Sequence, residues 1–221
     1  PMTSLPLLLL ATPFLLAAGD PPDMTCFQTA APFSAELDIQ SDMAIVYGVN
    51  ASFADRVTQW REQGYTIAMM TGISWGGYED YYVTEDGFKK EEVQTDKRGK
   101  LFMHGNSKTV GYNVPTPAYI EYIKQKVTPA VDAGVEAVFM EEPEYWARTG
   151  WSEAFKQAWQ RFYDEPWQEP DSSPDAQWRA SRLKYALYFQ ALKEVFAHVK
   201  ARAQEKGIEV ACHVPTHSLI N

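Results

Sequence analysis

The chain has very few cysteines and no long run of basic residues. Its two cysteines, Cys26 and Cys212, lie far apart in a chain of 221 residues. So wide a separation defines no disulfide framework, and we expect two independent thiols. The formal net charge is -9, and the lysines and arginine of "FKKEEVQTDKRGK" are mixed with acidic residues. This charge pattern argues against nucleic acid as a partner.

An apolar run long enough to cross a membrane is also missing. The uncharged stretch "LPLLLLATPFLLAA", residues 5–18, has about the length of the apolar region of a signal peptide, and small residues follow it. We therefore interpret residues 1–19 as a secretory signal peptide and expect a secreted or periplasmic protein without a membrane partner. A buried core helix is the alternative, and Pro6 and Pro13 argue against it.

Glycine-rich phosphate-binding motifs are absent, although strands and helices alternate along the chain. Neither GxGxxG nor GxxxxGK[ST] follows a predicted strand, which argues against a doubly wound nucleotide-binding sheet. Apolar runs predict strands at 42–50, 65–72, 135–142 and 208–214, and helical spacing predicts helices at 52–64, 116–134, 152–165 and 175–206. Short glycine turns from each helix to the next strand indicate a parallel sheet.

The acidic residues and the long irregular segment described below follow the carboxyl ends of predicted strands. Functional groups of a (β/α)8 barrel collect in the loops at that end of the sheet. We therefore predict an α/β fold, a parallel (β/α) barrel of which this chain carries about the first half. Residues 20–41 are interpreted as a lead-in segment and residues 42–221 as the N-terminal part of the barrel domain. The oligomeric state is left open.

One strand end is strongly acidic. In "VEAVFMEEPEYW", residues 135–146, an apolar run leads directly into Glu141, Glu142 and Glu144. Charge at the end of a core strand is costly unless it is solvated, paired or used. A solvated acidic loop is the plain alternative, but Pro143 and the flanking aromatic residues favour a functional site.

An acidic pair followed by proline at a strand end resembles the acid/base strand of the large TIM-barrel clan of glycoside hydrolases, which includes the β-galactosidase-like families. The matching residues are Glu141-Glu142-Pro143, and the general layout extends the resemblance over 42–221. It implies a glycosidase that cleaves a β-linked sugar or polysaccharide without a cofactor, with Glu142 as the general acid/base. A carbohydrate is then the expected substrate.

Two departures from the clan leave alternatives open. The clan has Asn where this chain has Glu141, which also fits a non-catalytic carbohydrate-binding barrel. The clan carries its acid/base on the fourth strand, whereas "EAVFMEE" follows only two predicted strands here. A further strand is therefore expected within 20–40 or 101–103, unless the barrel is unusual.

The second carboxylate that glycoside cleavage requires is not obvious from the sequence. Side chains alternate along a strand, so Glu141 and Glu142 are expected to point to opposite sides and to make a poor catalytic pair. In the resembling clan the nucleophile lies on the seventh strand, so the isolated chain is expected to be inactive.

A long segment, residues 73–114, has no sustained apolar period and is expected to form an ordered, functional loop. Together with the strand ends it supplies the remaining candidates for substrate binding: Glu141, Glu144, Trp75, His104, Asn106, Tyr112, Trp146, His213 and His217. A metal-dependent hydrolase using Glu142, Glu144, His104 and His213 is a third interpretation. Pro215 lies between His213 and His217, so these two histidines do not form a helical metal-binding motif. We expect no metal.

Overall fold

The computed structural model describes residues 24–216, and a five-stranded parallel sheet forms its centre. The strands are β1 (Cys26–Thr29), β2 (Met43–Tyr47), β3 (Thr66–Gly72), β6 (Ala137–Glu141) and β7 (Ala211–His213), in that order across the sheet. Within this sheet the strands lie side by side in the order in which they occur in the chain, as successive strands of a (β/α) barrel do. The predicted α/β class with a parallel sheet is confirmed. The predicted signal peptide lies outside the described residues.

Strand β1 adds a fifth strand to the four predicted from apolar runs, and it is the further strand that the resemblance led us to expect within 20–40 or 101–103. It lies inside the lead-in segment 20–41 and pairs with β2 from Cys26 opposite Met43 to Thr29 opposite Val46. Its sequence, CFQT, has no apolar run because it is an edge strand whose residues alternate between exposed and half-buried positions. With β1 counted, β6 is the fourth strand of the sheet, which is the position that the resemblance implies for the acidic motif.

The connecting helices agree with the predicted ones to within a few residues. They are α1 (Phe53–Glu62), α3 (Pro117–Asp132), α4 (Glu153–Tyr163) and α5 (Pro174–Lys206). Thr116 caps α3, because its Oγ1 accepts a hydrogen bond from the Tyr119 amide at 3.1 Å. Ser52 and Ser152 occupy the cap positions of α1 and α4 without a side-chain cap bond. Between residues 24 and 216, no helix has both the length and the hydropathy that a membrane span needs.

The main core lies between one face of the sheet and the helices. It contains Val46, Met69 and Met140 from the strands and Trp60 and Val195 from the helices, all fully buried. The opposite face, here called the inner face, carries a smaller cluster of Ile45, Ala68, Met70 and Ala137, with Tyr47 and Phe139 packed against it. Side chains alternate along a strand, so Glu141, two residues after Phe139, also lies on the inner face.

The segment 73–114 is ordered, as predicted. It contains α2 (Glu79–Tyr82), the antiparallel pair β4 (Val83–Thr84) and β5 (Gly87–Phe88), a 3-10 turn at Lys90–Glu92, and isolated bridges such as Val93 with Asn113 and Met103 with Gly111. The Asn113 amide donates to the Ser74 carbonyl at 2.8 Å, which brings the end of the segment back to its start. This excursion therefore folds back over the carboxyl end of β3.

The two cysteines lie on the two outer strands of the sheet. Cys26 is on β1 and Cys212 is on β7, and both are free thiols. The prediction of two independent thiols is confirmed.

Candidate active site

Glu141 is the last residue of β6 and lies at the carboxyl edge of the inner face. Only 3% of it is exposed. The Tyr47 hydroxyl, at the end of β2, donates a hydrogen bond to Glu141 Oε2 at 2.8 Å. Burial, this hydrogen bond and the charges of Glu141 and Glu142 raise the pKa of Tyr47 far above its ordinary value. The phenol is therefore a protonated donor throughout the neutral pH range.

Glu142 leaves the strand with a left-handed backbone, at φ 49°. A non-glycine residue in this region is uncommon and needs support from its surroundings. Its amide donates to the Pro215 carbonyl at 3.1 Å, and the Ser74 hydroxyl donates to its carbonyl. Its carboxylate Oε2 accepts a hydrogen bond from Trp75 Nε1 at 3.1 Å. Glu142 is half-buried and is held at the head of this turn.

The left-handed turn changes the expected relation between Glu141 and Glu142. Alternation to opposite sides applies to extended backbone, and the backbone of Glu142 is not extended. Both carboxylates raise the pKa of the same phenol, Tyr47. The rule of alternation therefore does not apply to this pair, because the strand ends at Glu141.

Glu144 adds a third carboxylate on the other side of Glu142. Burial, the charges of Glu144 and Glu142, and a hydrogen bond with Glu144 raise the pKa of Tyr112 to about 12. The Glu144 amide donates to Ser74 Oγ at 3.2 Å, which fixes its position in the turn. The charge of Glu142 thus contributes to the raised pKa of both Tyr47 and Tyr112.

Five rings border this turn, and we call them the aromatic wall: Trp75, Phe102, His104, Tyr112 and Trp146. Trp75 and His104 stack with centroids 3.8 Å apart and planes inclined by 10°. The distance between ring centroids is 5.9 Å for His104 and Tyr112 and 5.6 Å for Tyr112 and Trp146. It is 5.7 Å for Trp146 and Phe102. All but Phe102 are half-buried, so they retain accessible ring surface. Such rings bind the flat apolar faces of sugars.

The structure therefore assembles most of the predicted site. Trp75, His104, Tyr112 and Trp146 come together in the aromatic wall, beside the three glutamates. Phe102 was not among the candidates, because one phenylalanine in a long loop carries no distinguishing pattern.

Gln94 supports the site and escapes sequence reasoning. It is fully buried, and its Nε2 donates to the carbonyl oxygens of Glu144 at 2.8 Å and Asn113 at 3.0 Å. Its Oε1 accepts a hydrogen bond from the Trp146 amide at 2.9 Å. These partners lie up to 52 residues away, so no local motif marks the glutamine.

Lys184, on α5, supports the same turn from outside. It is only 6% exposed, and its Nζ donates to the carbonyl oxygens of Trp146 at 3.1 Å and Ala147 at 2.8 Å. Burial lowers the pKa of this amine to about 8. Within the helical pattern of α5 the sequence gives no sign that this lysine is buried.

The other three candidates are not part of the aromatic wall. Asn106 is in the exposed turn that follows His104. His213 is on β7, where its ring stacks on Phe139 with centroids 4.6 Å apart. His217 lies outside the described residues. Across residues 24–216 no group of three His, Cys, Asp or Glu side chains is arranged to hold a metal ion.

No protein-family model and no curated protein matches this chain. Among solved structures, that of Ega3 from Aspergillus fumigatus in complex with galactosamine is similar at 10% identity and a TM-score of 0.49, covering 85% of this chain and 58% of that one. A glycoside hydrolase domain variant of PelA from Pseudomonas aeruginosa is similar at 12% identity and a TM-score of 0.43, covering 87% and 59%.

An alpha-galactosidase from Thermus thermophilus in complex with stachyose is also similar, at 12% identity and a TM-score of 0.39, covering 80% of this chain and 34% of that one. This chain thus spans 34% to 59% of the length of these three structures. Likeness at this level describes the arrangement of the backbone alone.

Proposed function

We propose that this chain carries the acid/base part of a glycoside hydrolase site, with Glu142 as the general acid/base. The proposal depends chiefly on the position of Glu142. Its half-buried carboxylate follows a left-handed turn of the backbone, comes between Glu141 and Glu144 in the sequence, and accepts a hydrogen bond from Trp75 of the aromatic wall. The resemblance of the Glu141-Glu142-Pro143 motif implies a β-linked sugar or polysaccharide as the substrate. Secretion stays a prediction, because it depends on residues 1–19.

The chemistry assigned to the site needs a carboxylic acid next to a bound sugar. The acid gives its proton to the leaving glycosidic oxygen, while a second carboxylate acts as nucleophile or base. The rings of the aromatic wall are suited to hold the sugar with its glycosidic oxygen next to the Glu142 carboxyl group. The second carboxylate is proposed to come from a later strand, as the resemblance implies, so the isolated chain is expected to be inactive. No metal or cofactor is assigned a step.

The test is Glu142→Gln in the full-length protein. If Glu142 is the proton donor, turnover of substrates with poor leaving groups is expected to fall about 10²–10⁴-fold. Activated aryl glycosides are expected to lose much less, because their leaving groups need little protonation. Glu144→Gln, two residues away in the same turn, is the matched control and should be milder. An equal loss on both substrate types, or no loss, would contradict the assignment.

A second candidate function is non-catalytic binding of carbohydrate. It is favoured by Glu141, which stands where the resembling clan has Asn and is engaged by Tyr47. In that case the protein binds oligosaccharides in calorimetry and turns over no glycoside. Trp75→Ala should weaken binding in either case, so turnover by the wild-type protein separates the two functions.

A further inference from the structure

Tyr47 is a polar side chain of the inner face that sequence reasoning did not select. It stands at the end of β2, two strands away from Glu141 on β6, with β3 between them. Neighbouring strands lie about 4.8 Å apart, so the Tyr47–Glu141 hydrogen bond closes a gap of two strand spacings. The strand between them ends in Gly72, which stands opposite Glu141 and has no side chain.

The hydroxyl of Tyr47 is a permanent donor to Glu141. Burial, followed by the hydrogen bond and charge of Glu141, raises the pKa of Tyr47, so the phenol keeps its proton at neutral pH. A hydrogen bond to a carboxylate is stronger than one between neutral groups, and this one has a length of 2.8 Å. The orientation of Glu141 Oε2 is therefore set by a residue 94 positions earlier in the chain.

The backbone around Glu141 and Glu142 is fixed independently of Tyr47. The Ile73 amide donates to the Glu141 carbonyl at 2.9 Å, and the Glu142 amide donates to the Pro215 carbonyl at 3.1 Å. Removal of the Tyr47 hydroxyl therefore leaves these backbone hydrogen bonds in place and removes a hydrogen bond to the Glu141 side chain. This is the signature of a group that orients a neighbour.

We infer that Tyr47 is a positioning residue for the proposed hydrolysis: its hydroxyl holds the buried Glu141 carboxylate in one orientation beside Glu142. The inference rests on the proposed function. A carboxylate displaced by about 1 Å from its working position costs up to about 10²-fold in rate, because the transition state requires a fixed arrangement of charge. The loss is expected in kcat, since Tyr47 is assigned no contact with the substrate.

The first experiment is Tyr47→Phe in the full-length protein, with the best glycoside substrate. We expect kcat to fall about 10–100-fold and KM to stay within about 2-fold. Tyr81→Phe is the matched control, because the Tyr81 hydroxyl also donates to a carboxylate, Glu92 Oε2, at 2.6 Å. Tyr81 packs against Tyr119 and Tyr122, away from the acidic turn. The control should leave kcat unchanged, and equal losses in both variants would overturn the inference.

A second measurement does not depend on turnover. The hydroxyl proton of Tyr47 should give a downfield, slowly exchanging NMR signal at neutral pH, because it is bound to a buried carboxylate. Tyr47→Phe identifies the signal by its loss, and Glu141→Gln should move it upfield. If Glu141→Gln leaves the signal unchanged, the inference is wrong whatever the activity. The wild-type protein could turn over no glycoside although the signal moves upfield in Glu141→Gln. The proposed function would then be wrong, and the Tyr47–Glu141 hydrogen bond would have a structural role only.

Discussion

Lys184 gives the most quantitative test of the structure. Its pKa falls from 10.5 to about 8 because the amine is buried, so protonated Lys184 destabilises the folded state relative to the unfolded one. Between pH 8 and 10.5 the unfolded chain binds more protons at this site, and stability must rise with pH. At 1.36 kcal/mol for each unit, the full change is about 3 kcal/mol.

The perturbation is Lys184→Met, which keeps the length of the side chain and removes the titrating group. Urea unfolding followed by circular dichroism from pH 7.5 to 10.5 gives the free energy of unfolding of both proteins. We expect the wild-type value, minus the variant value, to increase by about 3 kcal/mol across this range. Ionisation of the tyrosines affects the free energy of unfolding of both proteins alike, so it cancels when the variant value is subtracted from the wild-type value.

Lys193→Met is the control, because Lys193 is an exposed lysine on the same helix. Its difference from the wild type should stay constant with pH to within about 0.5 kcal/mol. If the Lys184→Met difference is equally flat, Lys184 is not a buried amine. The contact of α5 with the carbonyl oxygens of Trp146 and Ala147 would then be refuted as well.

Two further substitutions test local geometry. Thr116→Ala should lower the free energy of unfolding by about 1 kcal/mol through loss of the α3 cap, whereas Thr58→Ala, on the exposed side of α1, should change it by less than about 0.5 kcal/mol in the same urea titration. Gly72→Ala should cost about 1–3 kcal/mol, because its Cβ would lie 2.1 Å from the Trp75 carbonyl oxygen. Gly77→Ala, with nothing within 4 Å, should cost clearly less, and equal losses of melting temperature would contradict the close approach of Gly72 to Trp75.

The helices and the long strands could be predicted because their signals are local. Apolar residues at helical spacing located α1, α3, α4 and α5. The continuous apolar runs of β2, β3 and β6 follow from burial on both faces of a parallel sheet. The alternation of these elements fixed the α/β class.

Strand β1 could not be predicted from the local pattern of apolar residues. Its four residues carry no apolar run, and it is a strand because β2 offers a free edge with which CFQT pairs. Pairing of this kind is decided by the neighbour in space. Local patterns gave four strands, and only the resemblance led us to expect a further one within 20–40 or 101–103. The tertiary structure decided that this strand is Cys26–Thr29, which makes β6 the fourth strand of the sheet.

The candidate site divides in the same way. The sequence by itself determined that three glutamates follow a core strand and that Trp75, His104, Tyr112 and Trp146 are available in neighbouring loops. Only the tertiary structure decided that these rings form one wall, that Glu142 is left-handed, and that Tyr47 binds the Glu141 side chain. It likewise decided that Gln94 and Lys184 hold the turn. These three residues act over separations of 37 to 94 positions. A hydrogen bond depends on distance and direction in space, and side chains so far apart in the chain acquire both only when the sheet and helices have packed.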